Sequence, residues 1–215
     1  MIAESWTSLL RLLDVHVPRF RPTLRPGADG AALAALEDAI GHALPDEVRR
    51  FLAIHDGQGK SADGGLGGEL LATHTLSSCA TIAKFHRFWY RRDTHVPADA
   101  HLSSEERSRL EASRSYSYIG LPNDGRFIEI TESDGDAFLV DVMTGEVFFH
   151  VRGEGVFGPI ASSLSAFFDD LAARLRDGRA VVEDSGTEDA AVWVDDYDPC
   201  NIPDRFPRVG PEPPG

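Results

Sequence analysis

Hydrophobic positions along the chain fall into two periods, first 3.6 and then 2. Ile2, Trp6, Leu9, Leu10 and Leu13 share one face of a helix, which predicts an N-terminal helix docked on a core. Pro18 and Pro22 break that pattern, and Arg19 to Gly27, rich in arginine and proline, reads as an extended crossing. Asp29 is placed to cap a second helix, Ala31 to Ile40, striped by Leu33, Leu36 and Ile40. Gly41 suits a left-handed stop, and Leu44-Pro45 restarts a helix with proline at its first position. Val48, Phe51 and Leu52 give this third helix its buried face, and His55-Asp56-Gly57-Gln58 closes it. Five glycines between Gly59 and Gly68 then predict a loop, followed by a short strand over Leu70 to Ala72. Ser77 or Ser78 caps a helix carrying Cys79, Ile82, Phe85, Phe88 and Trp89, with the aromatics expected as core and rim. Ser103-Ser104-Glu105-Glu106 is a capping box that opens a short solvated helix to about Ala112.

From Tyr116 the period becomes 2. Phe127 to Thr131 alternates, Asp134-Gly135 turns, Ala137 to Met143 alternates with Phe138, Val140 and Val142 on one side, Thr144-Gly145 turns, and Val147 to Val151 returns. Gly153 and Gly155 are expected to end the run. Ser162 or Ser163 then caps a helix striped by Leu164, Phe167, Phe168, Leu171 and Leu175 up to Gly178. Short turns exclude parallel crossovers. The predicted class is therefore α+β: an antiparallel meander sheet with N-terminal helices and a C-terminal helix packed on it. Residues 1–178 form the expected domain, and 179–215 an acidic, Pro-rich C-terminal extension.

Composition narrows the function without supplying it. The 42% apolar and 26% charged content is that of a globular protein, no apolar run reaches membrane-helix length, and a cytoplasmic location is the expectation. Cys79 and Cys200 lie far apart, outside any zinc or disulfide pattern. The net charge of −14 repels nucleic acid and anionic membranes and favours a basic protein partner. Half of it comes from Glu183, Asp184, Glu188, Asp189, Asp195, Asp196 and Asp198, a segment without Lys or Arg, in which Trp193 stands out.

Candidate chemistry is sparse. His55-Asp56 is the pair a hydrolase would use as an oriented base, but adjacent residues on a helix point in different directions. The pair reads better as a helix stop, Asp56 bonding backbone donors of the following loop and His55 packing at the helix end. Asp134, Asp136 and Asp141 lack the spacing of a calcium loop, so no metal is expected. Gly59-Lys60-Ser61 imitates the end of a phosphate-binding loop, but Ile54 stands where its leading glycine belongs. His42, His74, His86, His95 and His101 form no metalloprotease pair and are expected on surfaces or helix faces.

Several short motifs recur together in one order: Gly41, Leu44 and Pro45; His55, Asp56, Gly57 and Gln58; Gly135, Asp136, Phe138, Leu139 and Asp141; Ser163, Phe167 and Phe168. This combination resembles the SUKH superfamily, which includes fungal cell-wall regulators and many bacterial proteins. The chain departs from the family in carrying Tyr116 and Tyr118 where a tryptophan is common. The resemblance implies the α+β fold above and a non-catalytic, cofactor-free binding role, most often that of an immunity protein neutralising a cognate toxin, in many cases a nuclease. A regulatory scaffold binding host proteins is the alternative, and a small hydrolase a third. On the first reading an acidic face docks on the toxin, so the expected partner-binding residues are Asp134, Asp136, Asp141, Glu183, Asp184, Glu188, Asp189, Asp195 and Asp196. The motif residues Gly41 to Gln58, with Gly135 and Phe138, are expected to be mainly structural.

Overall fold

A computed structural model describes residues 1–59, 70, 74–90, 124–133, 135–152, 154–184, 190–194 and 202–209, with backbone only at 132, 181–184, 190–193, 203 and 204. The predicted glycine loop beyond Gly59, the predicted strand beyond Leu70, the capping-box helix and Tyr116 and Tyr118 lie outside the described residues. Helix α1 (Ile2–His16) buries Ile2, Trp6, Leu9, Leu10 and Leu13 as its pattern requires. A 3-10 turn (Arg21–Thr23) interrupts the crossing that follows. Helix α2 (Gly30–Ile40) starts at Asp29, whose Oδ1 accepts from Ala32 N–H at 2.8 Å, and stops at Gly41 in the left-handed region. Helix α3 (Asp46–Ile54) follows Pro45, which stands at the N-cap, one residue ahead of the expected position.

Glu37 holds the α2–α3 corner by accepting from Leu44 N–H at 2.9 Å and pairing with Arg49. The Leu44 amide, and then the Arg49 guanidinium, keep its carboxyl below the usual range. Strand β1 (Thr75–Leu76) leads into α4 (Cys79–Trp89), where Ser78 is the cap that accepts from Thr81 N–H.

The main sheet is built from β2 (Phe127–Glu129), β4 (Ala137–Asp141), β5 (Val147–Val151), β6 (Gly155–Ala161) and β9 (Arg208–Val209), antiparallel in that order. Strand β3 (Thr131–Glu132) continues the line of β2 and pairs with β1. The glycine expected to end the meander instead begins a strand. Gly155 (φ +110°) makes the turn that sends β6 back along β5.

Helix α5 (Leu164–Arg176), capped by Ser163, packs on α1 and α3 and reaches β6. Glu47 at the start of α3 accepts from Ser165 N–H (3.1 Å) and Oγ–H (2.5 Å), locking the α5 start to α3. Between helices and sheet runs a chain of rings: Trp6 against Phe51 (5.1 Å) and Phe168 (5.0 Å), Phe168 against Phe167 (5.8 Å), Phe167 against Phe138 (4.9 Å), Phe138 against Phe149 (4.6 Å).

Both faces of the sheet are covered, because every residue of β4 and β5 is buried. Ile128, Phe138, Val140, Val147, Phe149 and Phe157 face the helical core. Phe127, Ala137, Leu139, Phe148 and Val156 form a second apolar layer with Trp89, Tyr90 and Val209.

The segment after Gly178 also enters the core. A hairpin of β7 (Val181–Asp184) and β8 (Ala190–Trp193) precedes Val194, which is buried, and a short helix α6 (Ile202–Arg205) buries Ile202 completely. β9 then lies on β6, with the Arg208 guanidinium over the Phe157 ring and Pro207 O accepting from Gly158 N–H at 3.0 Å.

Three histidines are buried: His74 and His86, both expected on surfaces or helix faces, and His150 on β5. His74 sits between the Phe138 and Phe149 rings, and its Nδ1 is 3.2 Å from the Thr131 hydroxyl, which itself accepts from Phe138 N–H. Burial pushes His74 down to about 3 and His150 down to about 4, and lowers His86. Near pH 6 the unfolded chain takes protons that the folded chain refuses, so stability is full above about pH 6.5 and falls as pH drops below it. The melting temperature is expected to fall between pH 7 and pH 4.5. A His74→Leu chain, weaker at pH 7, should lose less over that interval. Truncation after Gly178 is expected to lower stability by roughly 3 kcal/mol or more, from the lost burial of Val194 and Ile202; an unchanged urea midpoint would show the segment to be dispensable.

Candidate functional site

The His55-Asp56-Gly57-Gln58 motif forms a clasp between three chain segments. Asp56 Oδ1 accepts from Cys79 N–H at 2.7 Å and so caps α4 from outside that helix. Gln58 donates through Nε2 to Thr23 Oγ1 (2.9 Å), accepts at Oε1 from Leu76 N–H (3.1 Å), and donates its own N–H to Leu76 O (2.9 Å). Gly57 accepts at its carbonyl from Arg25 N–H, and its φ of +74° brings it against the Leu76–Ser78 backbone, where a Cβ would lie 2.5 Å from Ser78 N. His55 donates from Nδ1 to Arg25 O (3.0 Å) and lies edge-on to Trp6. The pair is thus divided between two tasks: His55 packs at the helix end, as expected, while Asp56 bonds the start of α4 rather than the loop that directly follows it. Beside it, Cys79 is buried and unpaired, and burial together with Asp56 pushes its thiol up to about 12, which keeps it protonated and unreactive.

The acids expected to meet a partner fare differently from one another. Asp141 is only 2% exposed: its Oδ1 accepts from Met143 N–H (2.8 Å) and its Oδ2 lies 3.4 Å from Arg126 Nε. Its carboxylate braces the β4–β5 turn and presents nothing to a partner, a correction to the expected docking role. A strand position beside a tight turn made it look available, whereas the sheet's second covered face buries it. Asp136 is half-buried and accepts from Arg152 N–H (2.7 Å). Glu183 and Asp184 fall on β7, with backbones opposite Ala191 and Ala190. Asp134, Glu188, Asp189, Asp195, Asp196 and Asp198 lie outside the described residues. Gly135 and Phe138 are structural: Phe138 is fully buried, and Gly135 packs against the Arg152 side chain.

Another surface emerges on α4. The helix buries Cys79, Ile82, Ala83, His86 and Trp89. Its inward stripe therefore runs through His86 rather than through Phe85 and Phe88. His86 donates from Nε2 to Gly125 O (2.7 Å), and His42 from α2's end donates to the neighbouring Asp124 O (2.8 Å), tying α4 and α2 to the start of β2. With these contacts satisfied inside, Phe85 is left half-buried and Phe88 57% exposed. They border a groove of about 490 Å³ whose described lining is Lys84, Phe85, Arg87 and Phe88, with the Lys84 ammonium 5.2 Å from the Phe85 ring centre. The pattern Phe85-x-x-Phe88 was legible as two aromatics three apart; which of them faced out was not.

Among the described residues no cluster of His, Cys, Asp and Glu is placed to hold a metal ion, and no helix is long and apolar enough to cross a membrane. Comparison with known proteins adds the lineage. The sequence profile of the SMI1/KNR4 family (SUKH-1) matches residues 27–170, from the crossing before α2 into α5. F-box only protein 3 of Homo sapiens and of Bos taurus is each 37% identical over 76 residues, a stretch covering 35% of this chain and 16% of the relative. The matched stretch is thus less than a fifth of the length of these curated relatives.

Replacing Asp56 with Ala leaves the Cys79 amide without its side-chain acceptor and is expected to destabilise the fold by about 1–2 kcal/mol. Asp56→Asn, which keeps an acceptor oxygen, should lose less in the same urea titration. Equal losses would assign the effect to the negative charge instead.

Proposed function

This chain belongs to the SMI1/KNR4 family (SUKH-1), and from that premise we propose that it is a non-catalytic protein-binding module. The observation that carries this reading is how the fold uses the polar side chains that chemistry would need. Asp56 caps α4, Gln58 ties β1 to the crossing, Glu47 holds α5, and Asp141 braces a turn under Arg126. Each motif carboxylate or amide is committed to a backbone or side-chain partner, so the family motif specifies a scaffold and its working parts are surfaces.

The reading favoured among binding roles is an immunity protein that neutralises a cognate bacterial toxin. Its charge of −14 favours encounter with a basic surface, and complementary charge acts mainly on the association rate. The acids from Glu183 to Asp198 are the proposed steering element, while buried apolar contacts set how long the complex lasts. A regulatory adaptor binding host proteins is the second reading. Similarity to F-box only protein 3, in which the shared stretch is a small part of a long chain, favours a domain that is carried between contexts for its binding surface.

Coexpression with the product of the adjacent open reading frame, followed by affinity capture and size-exclusion chromatography, tests the first reading. A stable stoichiometric complex that abolishes that product's toxicity is expected. In stopped-flow mixing, converting the seven acids of Glu183 to Asp198 to Asn and Gln should slow association by about tenfold at low salt. An unchanged rate would remove the segment from the encounter, and absence of any complex would favour the adaptor.

A further inference from the structure

The strand that closes the sheet is weakly built for its place. β9 sets two residues against the seven of β6, and its described pairing reaches only from Val156 to Gly158. Gly158 N–H donates to Pro207 O at 3.0 Å, so this is a hydrogen-bonded pair. The alternation of antiparallel pairs then makes Val156 and Val209 the next bonded pair and leaves Arg208 at the non-bonded position between them. Pro207 has no N–H to return, so a bond that any other residue could make there is missing. Upstream the segment is anchored separately: Ile202 is fully buried and Phe206 packs on the helical core, so β9 can leave while α6 stays. β6 remains a strand without it, because β5 pairs with β6 from Gly155 to Ala161.

We propose that the outer edge of β6 is a strand-addition site for an extended, cation-bearing segment of a partner protein, and that β9 occupies this edge until such a segment displaces it. β9 itself shows what the edge accepts. On one side of the added strand the Arg208 guanidinium stands over the Phe157 ring, 5.5 Å from its centre, and on the other Val209 packs into the second apolar layer that holds Val156. A partner segment with Arg or Lys at the first of these positions and a β-branched residue at the second reproduces both contacts. With a residue other than proline before them, it also gains the main-chain bond that Pro207 cannot make. The net charge of −14 favours a basic segment over an acidic one. Because β9 competes for the edge, the apparent affinity of a partner is reduced by the fraction of molecules in which the edge is open, which screens out weak binders. This inference rests on the reading of the chain as a binding module, and not on whether its partner is a toxin or a host protein.

The test uses the full chain and a fluorescein-labelled peptide, Ser-Lys-Thr-Arg-Val-Thr-Val-Lys-Ser, in which Thr-Arg-Val replaces Pro207 to Val209. Anisotropy is expected to show saturable binding that tightens by about tenfold in a Val209→Pro chain, whose β9 loses the N–H it gives to β6. Arg208→Asp, which removes the cation from Phe157 and leaves the hydrogen bonds of β9 in place, should tighten binding by about threefold and keeps the test open if Val209→Pro fails to fold. A peptide N-methylated at its first Val should lose binding, as expected of main-chain pairing. Amide ¹H–¹⁵N spectra should shift from Gly155 to Ala161 on titration. No binding to the parent or either variant at millimolar peptide, equal affinity of parent and folded variants, undiminished binding of the methylated peptide, or shifts located elsewhere would each overturn the proposal. So would a dimer of the variants that the peptide fails to dissociate, which would assign the edge to a second copy. A stable complex with the neighbouring gene product, found together with any of these failures, would leave the binding-module reading intact and remove only the β6 edge from it.

Discussion

The structure depends on the close approach at Gly57. A backbone with positive φ runs against the Leu76–Ser78 segment at a distance that leaves no room for a Cβ. On either side of it Asp56 and Gln58 convert that proximity into hydrogen bonds to the start of α4, to β1 and to the crossing. Three segments far apart in sequence, Thr23 to Pro26, Asp56 to Gln58 and Leu76 to Cys79, thereby become one junction. Helix α4 is aimed from this junction, and the groove on its outer face inherits that direction. The motif thereby fixes the direction of α4.

The same economy governs the sheet. Its helical face is filled by a continuous run of rings from Trp6 to Phe149, and its opposite face by a second apolar layer anchored by Phe127, Leu139 and Phe148. Covering both faces makes polar side chains on β4 and β5 expensive unless they are bonded, which explains why Asp141 is held by Met143 N–H and Arg126 and why His150 stays neutral. The segment after Gly178 belongs to this arrangement. Ile202 enters the helical core, and β9 occupies the β6 edge that would otherwise be open.

Several features were readable from residues alone because they rest on local physics. The stripes of α1, α2, α3 and α5, the cap at Asp29, a serine cap at 77 or 78 and at 162 or 163, and the stop at Gly41 all follow from side-chain period and backbone preference; the structure selects Ser78 and Ser163. The structural character of Asp56 was legible in part: the helix stop pointed to the loop that follows it, whereas its carboxylate accepts from Cys79 N–H at the start of α4. β6 and the burial of Asp141 escaped the sequence for a common reason: both depend on neighbours distant in the chain. Gly155 looks like a terminator locally, and only pairing with β5 makes it the first residue of a strand.

By itself the sequence determined the α+β class, the positions of the amphipathic helices, the antiparallel meander and the family grammar, because period, capping and turn chemistry act over a few residues. Tertiary structure alone decided the rest: which side of α4 faces outward, which carboxylates are consumed by the fold, and that the C-terminal segment completes the sheet. Those outcomes are set by competition for burial among segments far apart in the chain. His86 takes the inward place on α4 because Gly125 O is there to receive its proton donor, and that contact leaves Phe88 at the surface.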